Sequence, residues 1–189
     1  MNMKNLIFFL AIALSILSTA CGSGPGAEET LSKDKLTELI RGLEGTLQQQ
    51  IDQITLDTAT ARTLADRAEE FAQRFPQDTL APYFLFQAAN VSRGIGDFEK
   101  SVELWGRIAS EWEDYRRAPE ALFLQAFTLD DNLGDTKRAQ QQYEVFLERY
   151  PKHPLANDAR LLLEAAKSGK SSNELIKEFQ QKEQEEQDK

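Results

Sequence analysis

The chain is poor in the side chains that most chemistry needs. It has one cysteine and one histidine among 189 residues. With a single cysteine no intrachain disulfide can form. With a single histidine a zinc site would need several carboxylates, and no pair of ligands stands at the helical spacing that would hold one. Neither a metal nor a cofactor is expected. The histidine, His153, lies between Lys152 and Pro154, a turn position where a solvated loop residue is the plain reading and a general base is not. Catalysis needs groups whose pKa or nucleophilicity can be tuned. The carboxylates are many (Glu69, Glu70, Glu111, Glu113, and Glu183, Glu185 and Glu186 near the end), but acidic pairs on helices are usually solvated faces. The chain is therefore not expected to be an enzyme or to take a small-molecule substrate.

Positive charge is also scarce. Lys and Arg number 22 against 31 Asp and Glu, a net charge of -9 and a pI near 4.8. Such a surface repels phosphate backbones, which argues against a nucleic-acid partner. Strand-favouring residues are few, whereas Ala, Leu, Glu, Gln, Arg and Lys dominate, the composition of an all-α protein.

Long hydrophobic runs are missing except at the start. Lys4 is the only charge in the first twenty residues, and Leu6 to Leu17 is apolar but for Ser15. That run makes roughly 18 Å of helix, too short for a ~30 Å hydrocarbon core. A positive start, a short apolar run and small residues at its end mark residues 1–20 as a secretory signal. Leu17-Ser18-Thr19-Ala20-Cys21 resembles a bacterial lipobox, with Ser18 where the usual leucine stands. The resemblance implies that Cys21 becomes the lipidated first residue of the mature chain. Lipidation would also remove the one unpaired thiol, a liability in an oxidising compartment, and several acyl chains would anchor firmly where one is marginal. Simple secretion with cleavage near Ala20 is the alternative. Residues 21–30, with Gly22-Ser23-Gly24-Pro25-Gly26, read as a flexible linker. The Gly-rich stretch follows no strand and lacks the Gly-Lys-Ser/Thr ending of a phosphate loop.

From residue 31 the apolar spacing turns helical. Leu36, Leu39, Ile40, Leu43, Leu47, Ile51 and Ile54 recur at threes and fours. A short heptad fit leaves an oligomeric coiled coil open as an alternative. Asp57-Thr58-Ala59-Thr60 offers capping side chains to a second helix that runs to Phe75 and stops at Pro76.

The chain then repeats. Ala81-Pro82 recurs as Ala118-Pro119. Leu85-Phe86-Gln87-Ala88 stands 38 residues before Phe123-Leu124-Gln125-Ala126. The same offset of 38 links Gly96-Asp97 to Gly134-Asp135, Trp105 to Tyr143, Ile108 to Phe146 and Trp112 to Tyr150. Helix, Gly-Asp turn and helix at such a period is the mark of a helical solenoid. The final segment, 169–189, carries Leu175, Ile176 and Phe179 on one face behind a Ser172 or Asn173 cap, then only polar residues from Gln180.

These residues resemble the tetratricopeptide repeat. Ala89, Gly96, Asp97, Phe98, Ser101, Trp105 and Ile108 match one unit. Gly134, Asp135, Ala139, Tyr143, Phe146 and Pro151 match the next, with Phe127 where a small residue is usual and Thr136 where an aromatic is. The resemblance implies a right-handed helical-hairpin solenoid over residues 31–168, with about eight helices including caps. Phe146-Leu147-Glu148-Arg149-Tyr150-Pro151 followed by Pro154-Leu155-Ala156 is similar to repeats of the outer-membrane assembly lipoprotein BamD and of the Tol-Pal-associated periplasmic protein YbgF, also called CpoB. What this implies is the compartment, the cell envelope with the protein lipid-anchored and facing the periplasm, and a scaffold that binds envelope proteins. A part in outer-membrane protein assembly and an oligomeric coordinating role are the finer alternatives.

By family correspondence the first helices of successive repeats line a concave groove, here through Tyr83, Phe86, Asn90 and Arg93, then Leu124, Thr128 and Asp131. Phe86 stands where some members carry the lysine of a carboxylate clamp. For Phe86 and Leu124, packing between repeats is the equal alternative. Trp105, Tyr143 and Trp112 are expected in the core.

Overall fold

A computed structural model describes residues 30–50 and 57–169. The expected signal, Cys21 and the expected linker, residues 51–56 with Ile51 and Ile54, and the expected terminal helix beyond Gly169 lie outside the described residues. The chain divides into Met1–Thr30 and Leu31–Lys189, and every helix described belongs to the second unit.

The described residues carry seven α-helices, one π-helical segment and no strand. The first pair is α1 (Lys33–Gln48) and α2 (Thr58–Arg74). Ser32 caps α1 by accepting the Lys35 N–H, and Asp57 caps α2 by accepting those of Ala59 and Thr60, satisfying amides that a helix start leaves without partners. Leu36, Ile40 and Leu47 of α1 are buried, as are Ala61, Leu64, Ala68 and Phe71 of α2. The apolar stripe of α1 is spent on α2, so a coiled coil built on it would first have to unpack this hairpin.

The next hairpin is α3 (Leu80–Gly94) and α4 (Phe98–Glu111). Gly96 takes φ 80°, where a side chain would be strained. The Asp97 N–H closes the end of α3 on the Ser92 carbonyl at 2.8 Å, the wide bond of a Schellman ending. The third hairpin is α5 (Ala118–Phe127), running into the π-helical segment Thr128–Asn132, then α6 (Thr136–Arg149). Gly134 repeats the positive φ at 65°, and Asp135 caps α6 by accepting the Arg138 N–H. α7 (Ala156–Ser168) is a first helix whose second lies outside the described residues.

Helices α2, α4 and α6 all end on one conformation. Phe75, Trp112 and Tyr150 have φ of -131°, -132° and -130°, with ψ between 52° and 60°. Proline follows Phe75 and Tyr150 and restricts them, yet Glu113 follows Trp112, so the conformation belongs to the repeat and not to the proline.

Each helix packs on the next in the chain, and side chains tie alternate helices into two layers. Among first helices, Arg93 of α3 donates to Asn132 at 3.1 Å. Among second helices, Glu69 of α2 takes both Lys100 and Arg107 of α4, at 2.6 and 3.6 Å, and Glu99 of α4 takes Arg138 of α6. Between the layers lies the core. Trp105 and Tyr143 have no exposed surface, with Trp105 edge-on to Phe86 at 4.6 Å and Tyr143 edge-on to Phe123 at 6.1 Å. This is the helical-hairpin solenoid that the sequence pattern implies.

The register within the first helices is not the one expected. Burial pairs Ala81 with Ala118, Leu85 with Leu122, Ala89 with Ala126 and Ser92 with Leu129, an offset of 37. Only past the π segment do Gly96 and Gly134 meet at 38. There the Leu133 N–H reaches back five residues to the Thr128 carbonyl at 3.1 Å, the widening by which a helix absorbs one inserted residue. The apparent departure at Phe127 then vanishes. The small residue of the second unit is Ala126, and Phe127 stands one place beyond it.

Candidate functional site

The first-helix layer is the surface on which the sequence places its candidates. Along α3 the side chains of Ala81, Phe84, Leu85, Ala88 and Ala89 turn inward. Tyr83, Gln87 and Asn90, at i, i+4 and i+7, therefore turn outward. Tyr83 is 37% exposed and Asn90 exposed, with Gln87 partly covered between them. The three are hydrogen-bonded in series: Gln87 donates to the Tyr83 hydroxyl at 3.4 Å and Asn90 to the Gln87 carbonyl at 3.5 Å.

Glu44 of α1 sits at the Tyr83 end of this row. Burial raises its pKa, and the charge of Arg41 and the Tyr83 hydroxyl offset only part of that. Elsewhere on α1, about 140° round the helix from Glu44, Leu39 is exposed and Leu43 half-buried. Gly42 and Gly45 leave open space around their backbone. The α3 face thus presents a tyrosine at the end of a polar row, a set that suits another protein's surface better than a small polar ligand.

The other candidates fare differently. Phe86 is 1% exposed, packed on Trp105 with the Arg117 guanidinium 3.5 Å over its ring. It is a core residue, and the packing alternative holds. Arg93 is half-buried and occupied, bonded to Asn132 and 5.2 Å over the Phe127 ring, so it joins repeats. Thr128 is corrected as well: it has no exposed surface and nothing with which to touch a partner. Leu124 is partly buried against the first core cluster, and Asp131 is exposed. These three residues of α5 and its extension pair with α3 only at an offset of 38. At the offset of 37 the structural counterparts of Phe86, Asn90 and Arg93 are Phe123, Phe127 and Asp130. Asp130 is half-buried, and both that burial and the neighbouring Asp131 raise its pKa. Burial likewise pushes the Tyr143 phenol far up, aided by Asp130 and Asp131.

Sequence reasoning missed Gln87 and Glu44. Gln87 was legible, four residues after Tyr83 on the same face. Glu44 joins the site only because the fold brings it to the Tyr83 hydroxyl. Among the described residues no group of three or more His, Cys, Asp and Glu could hold a metal ion. Cys21 lies outside them.

A tetratricopeptide-repeat family model matches residues 120–153, which takes in most of α5, the π segment, α6 and the turn after it. No curated protein and no solved structure matches the chain. Repeats of this kind mediate protein–protein contact through the extended surfaces that stacking creates.

Proposed function

We propose that this protein is a membrane-tethered scaffold of the bacterial cell envelope, lipidated at Cys21, that binds a partner protein on the layer formed by α1, α3 and α5. The observation that carries the binding surface is the outward row of Tyr83, Gln87 and Asn90, on a helix pair repeated by the matched unit. Tyrosine is among the residue types on which interface energy concentrates. The apolar run and lipobox-like residues before Cys21 support the tether and the periplasmic side. Finer versions are a BamD-like part in outer-membrane protein assembly and a YbgF/CpoB-like oligomeric coordination. Burial of Leu36, Ile40 and Leu47 within the chain favours a scaffold over a coordinator that assembles through α1.

A photo-crosslinking residue placed at position 83 in cells should capture a defined partner. One at Glu103, exposed on the second-helix layer, should not. Tyr83→Ala with Asn90→Ala should lower partner recovery while the thermal melt stays within about 1 kcal/mol of the wild type. Equal capture from positions 83 and 103 would move the site off this layer. For the tether, Cys21→Ser should release the protein from membranes and labelled palmitate should enter the wild type alone; an unlabelled wild type overturns the lipid anchor.

A further inference from the structure

The turns between hairpins share one backbone and differ in one place in chemistry. Phe75, Trp112 and Tyr150 each accept, at the carbonyl, the N–H of the residue three further on, at 3.0, 2.9 and 3.1 Å. The first turn reads Phe75-Pro76-Gln77-Asp78 and the third Tyr150-Pro151-Lys152-His153, whereas the middle one reads Trp112-Glu113-Asp114-Tyr115. Since proline stands at the position of Glu113 in the other two turns, and Gln77 and Lys152 at that of Asp114, the fold does not ask for Glu113 and Asp114. Asp114 makes no bond among the described residues. Glu113 meets Arg149 at 3.1 Å with its side chain 65% exposed, a pair of the kind that stabilises little.

Between the first and middle turns lies a cleft of about 370 Å³, within the size range of sites that take a ligand group. Its apolar walls are Pro76, Pro82, Trp112 and Tyr115. The Trp112 indole N–H donates to the Pro76 carbonyl at 2.9 Å, which fixes the ring against the neighbouring turn. Four carboxylates line the same cleft, those of Asp78, Glu111, Glu113 and Asp114, against one cation, Arg116. Lys33 pairs with Asp78 and Arg107 with Glu111, which leaves Asp114 and the solvent-facing Glu113 as the acceptors on offer.

We propose that this cleft docks a basic segment of a partner protein, a Lys or Arg side chain entering between the two turns. The aliphatic stem of such a side chain suits proline and aromatic walls while its head stays at a polar rim, and aromatic rings attract cations. The charge around the cleft selects a basic segment over an acidic or neutral one. The surface is formed by inter-hairpin turns and is separate from the row on α3, so each can fail without the other.

The test uses the full-length protein in detergent, a fluorescein-labelled Gly-Lys repeat peptide, and a Gly-Glu repeat of the same length. Anisotropy should show binding of the Lys peptide only, and Glu113→Gln with Asp114→Asn should weaken it roughly tenfold. Because Trp105 is fully buried, a shift in tryptophan emission on binding reports Trp112. The control is Asp158→Asn with Glu164→Gln, an equal loss of charge from exposed positions of α7. If the control weakens binding as much, the peptide follows only the overall negative charge and the proposal fails. It fails too if the Lys peptide does not bind, or binds with tryptophan emission unchanged.

Discussion

Removing one residue from the π segment tests the register directly. Deleting Asp131 closes the offset between hairpins from 38 to 37. Asn132 then takes the place of Gly94, Leu133 that of Ile95, and Gly134 coincides with Gly96 at the left-handed position. Leu133 and Ile95 are both half-buried, so nothing apolar changes sides. The Arg93–Asn132 hydrogen bond at 3.1 Å is disturbed, at a cost of about 1–2 kcal/mol. Loss of the Asp131 charge beside half-buried Asp130 works the other way. The expected net change is within about 1.5 kcal/mol in either direction.

Deleting Asn90 from α3, where no wide turn can absorb it, turns every later residue of the helix by about 100°. Ser92 leaves the buried face, and either the Gly96 turn or the bond from Asp97 to the Ser92 carbonyl is broken. Half-buried Val91 and Ile95 lose part of their packing on the core, and with the lost turn bond this deletion should cost roughly 3 kcal/mol or more. Thermal melts followed by far-UV circular dichroism should separate the two variants by several degrees, about 6–12 °C if the Asp131 deletion is neutral, at roughly 2–4 °C per kcal/mol for a domain of this size. Equal destabilisation by both deletions would refute the offset of 37 and return Leu124, Thr128 and Asp131 to equivalence with the α3 residues.

Trp105→Ala should cost roughly 3–5 kcal/mol, because the ring is fully buried on Phe86; an unchanged melt would place Trp105 outside the core. Tyr143→Phe should hold or raise the melting temperature, since the buried hydroxyl has no partner and such a group costs about 1–3 kcal/mol to desolvate; a clear fall would mean that the hydroxyl is bonded in the native protein. Asp130 has a raised folded pKa, so the stability that it contributes is complete below the unfolded value of about 3.9 and is lost as pH rises through the folded one. Asp130→Asn should therefore stabilise at pH near 7 and lose that advantage below about pH 4, and an advantage independent of pH would exclude the charge as its source.

Most of the fold was legible because its signals are local. The Asp57 cap, the Pro76 stop, and the two glycines that turn α3 into α4 and α5 into α6 each act within a few residues, and each stands where the sequence implies. The inserted residue was legible too, in the mismatch between Ala81-Pro82 and Ala118-Pro119 at 37 and Gly96-Asp97 and Gly134-Asp135 at 38. A single offset across the whole unit hid it. The surface was harder to read, because whether Phe86 faces a partner or Trp105 depends on the neighbouring helix.

The π segment also bears on where a partner can sit. A regular helix through Thr128–Asn132 would keep the order of inward and outward faces seen on α3, and Asp131 would fall where Gly94 falls, at the helix end. The extra residue moves Leu133 and Gly134 one place along and holds Asn132 where it accepts from Arg93, so the insertion joins α3 to α5 on the first-helix layer. The same joint keeps Arg93 over Phe127, withdrawing a cation from the surface that Tyr83 and Asn90 present. What remains beside them is sparsely charged: Arg41 and Glu44, whose burial favours its uncharged form, and exposed Asp131 on the extension of α5. A partner for this layer gains little from opposite charge and must be held by apolar area and hydrogen bonds. Its binding to the α3 row should then change little with salt, in contrast to binding in the turn cleft, where screening of the carboxylates weakens the attraction.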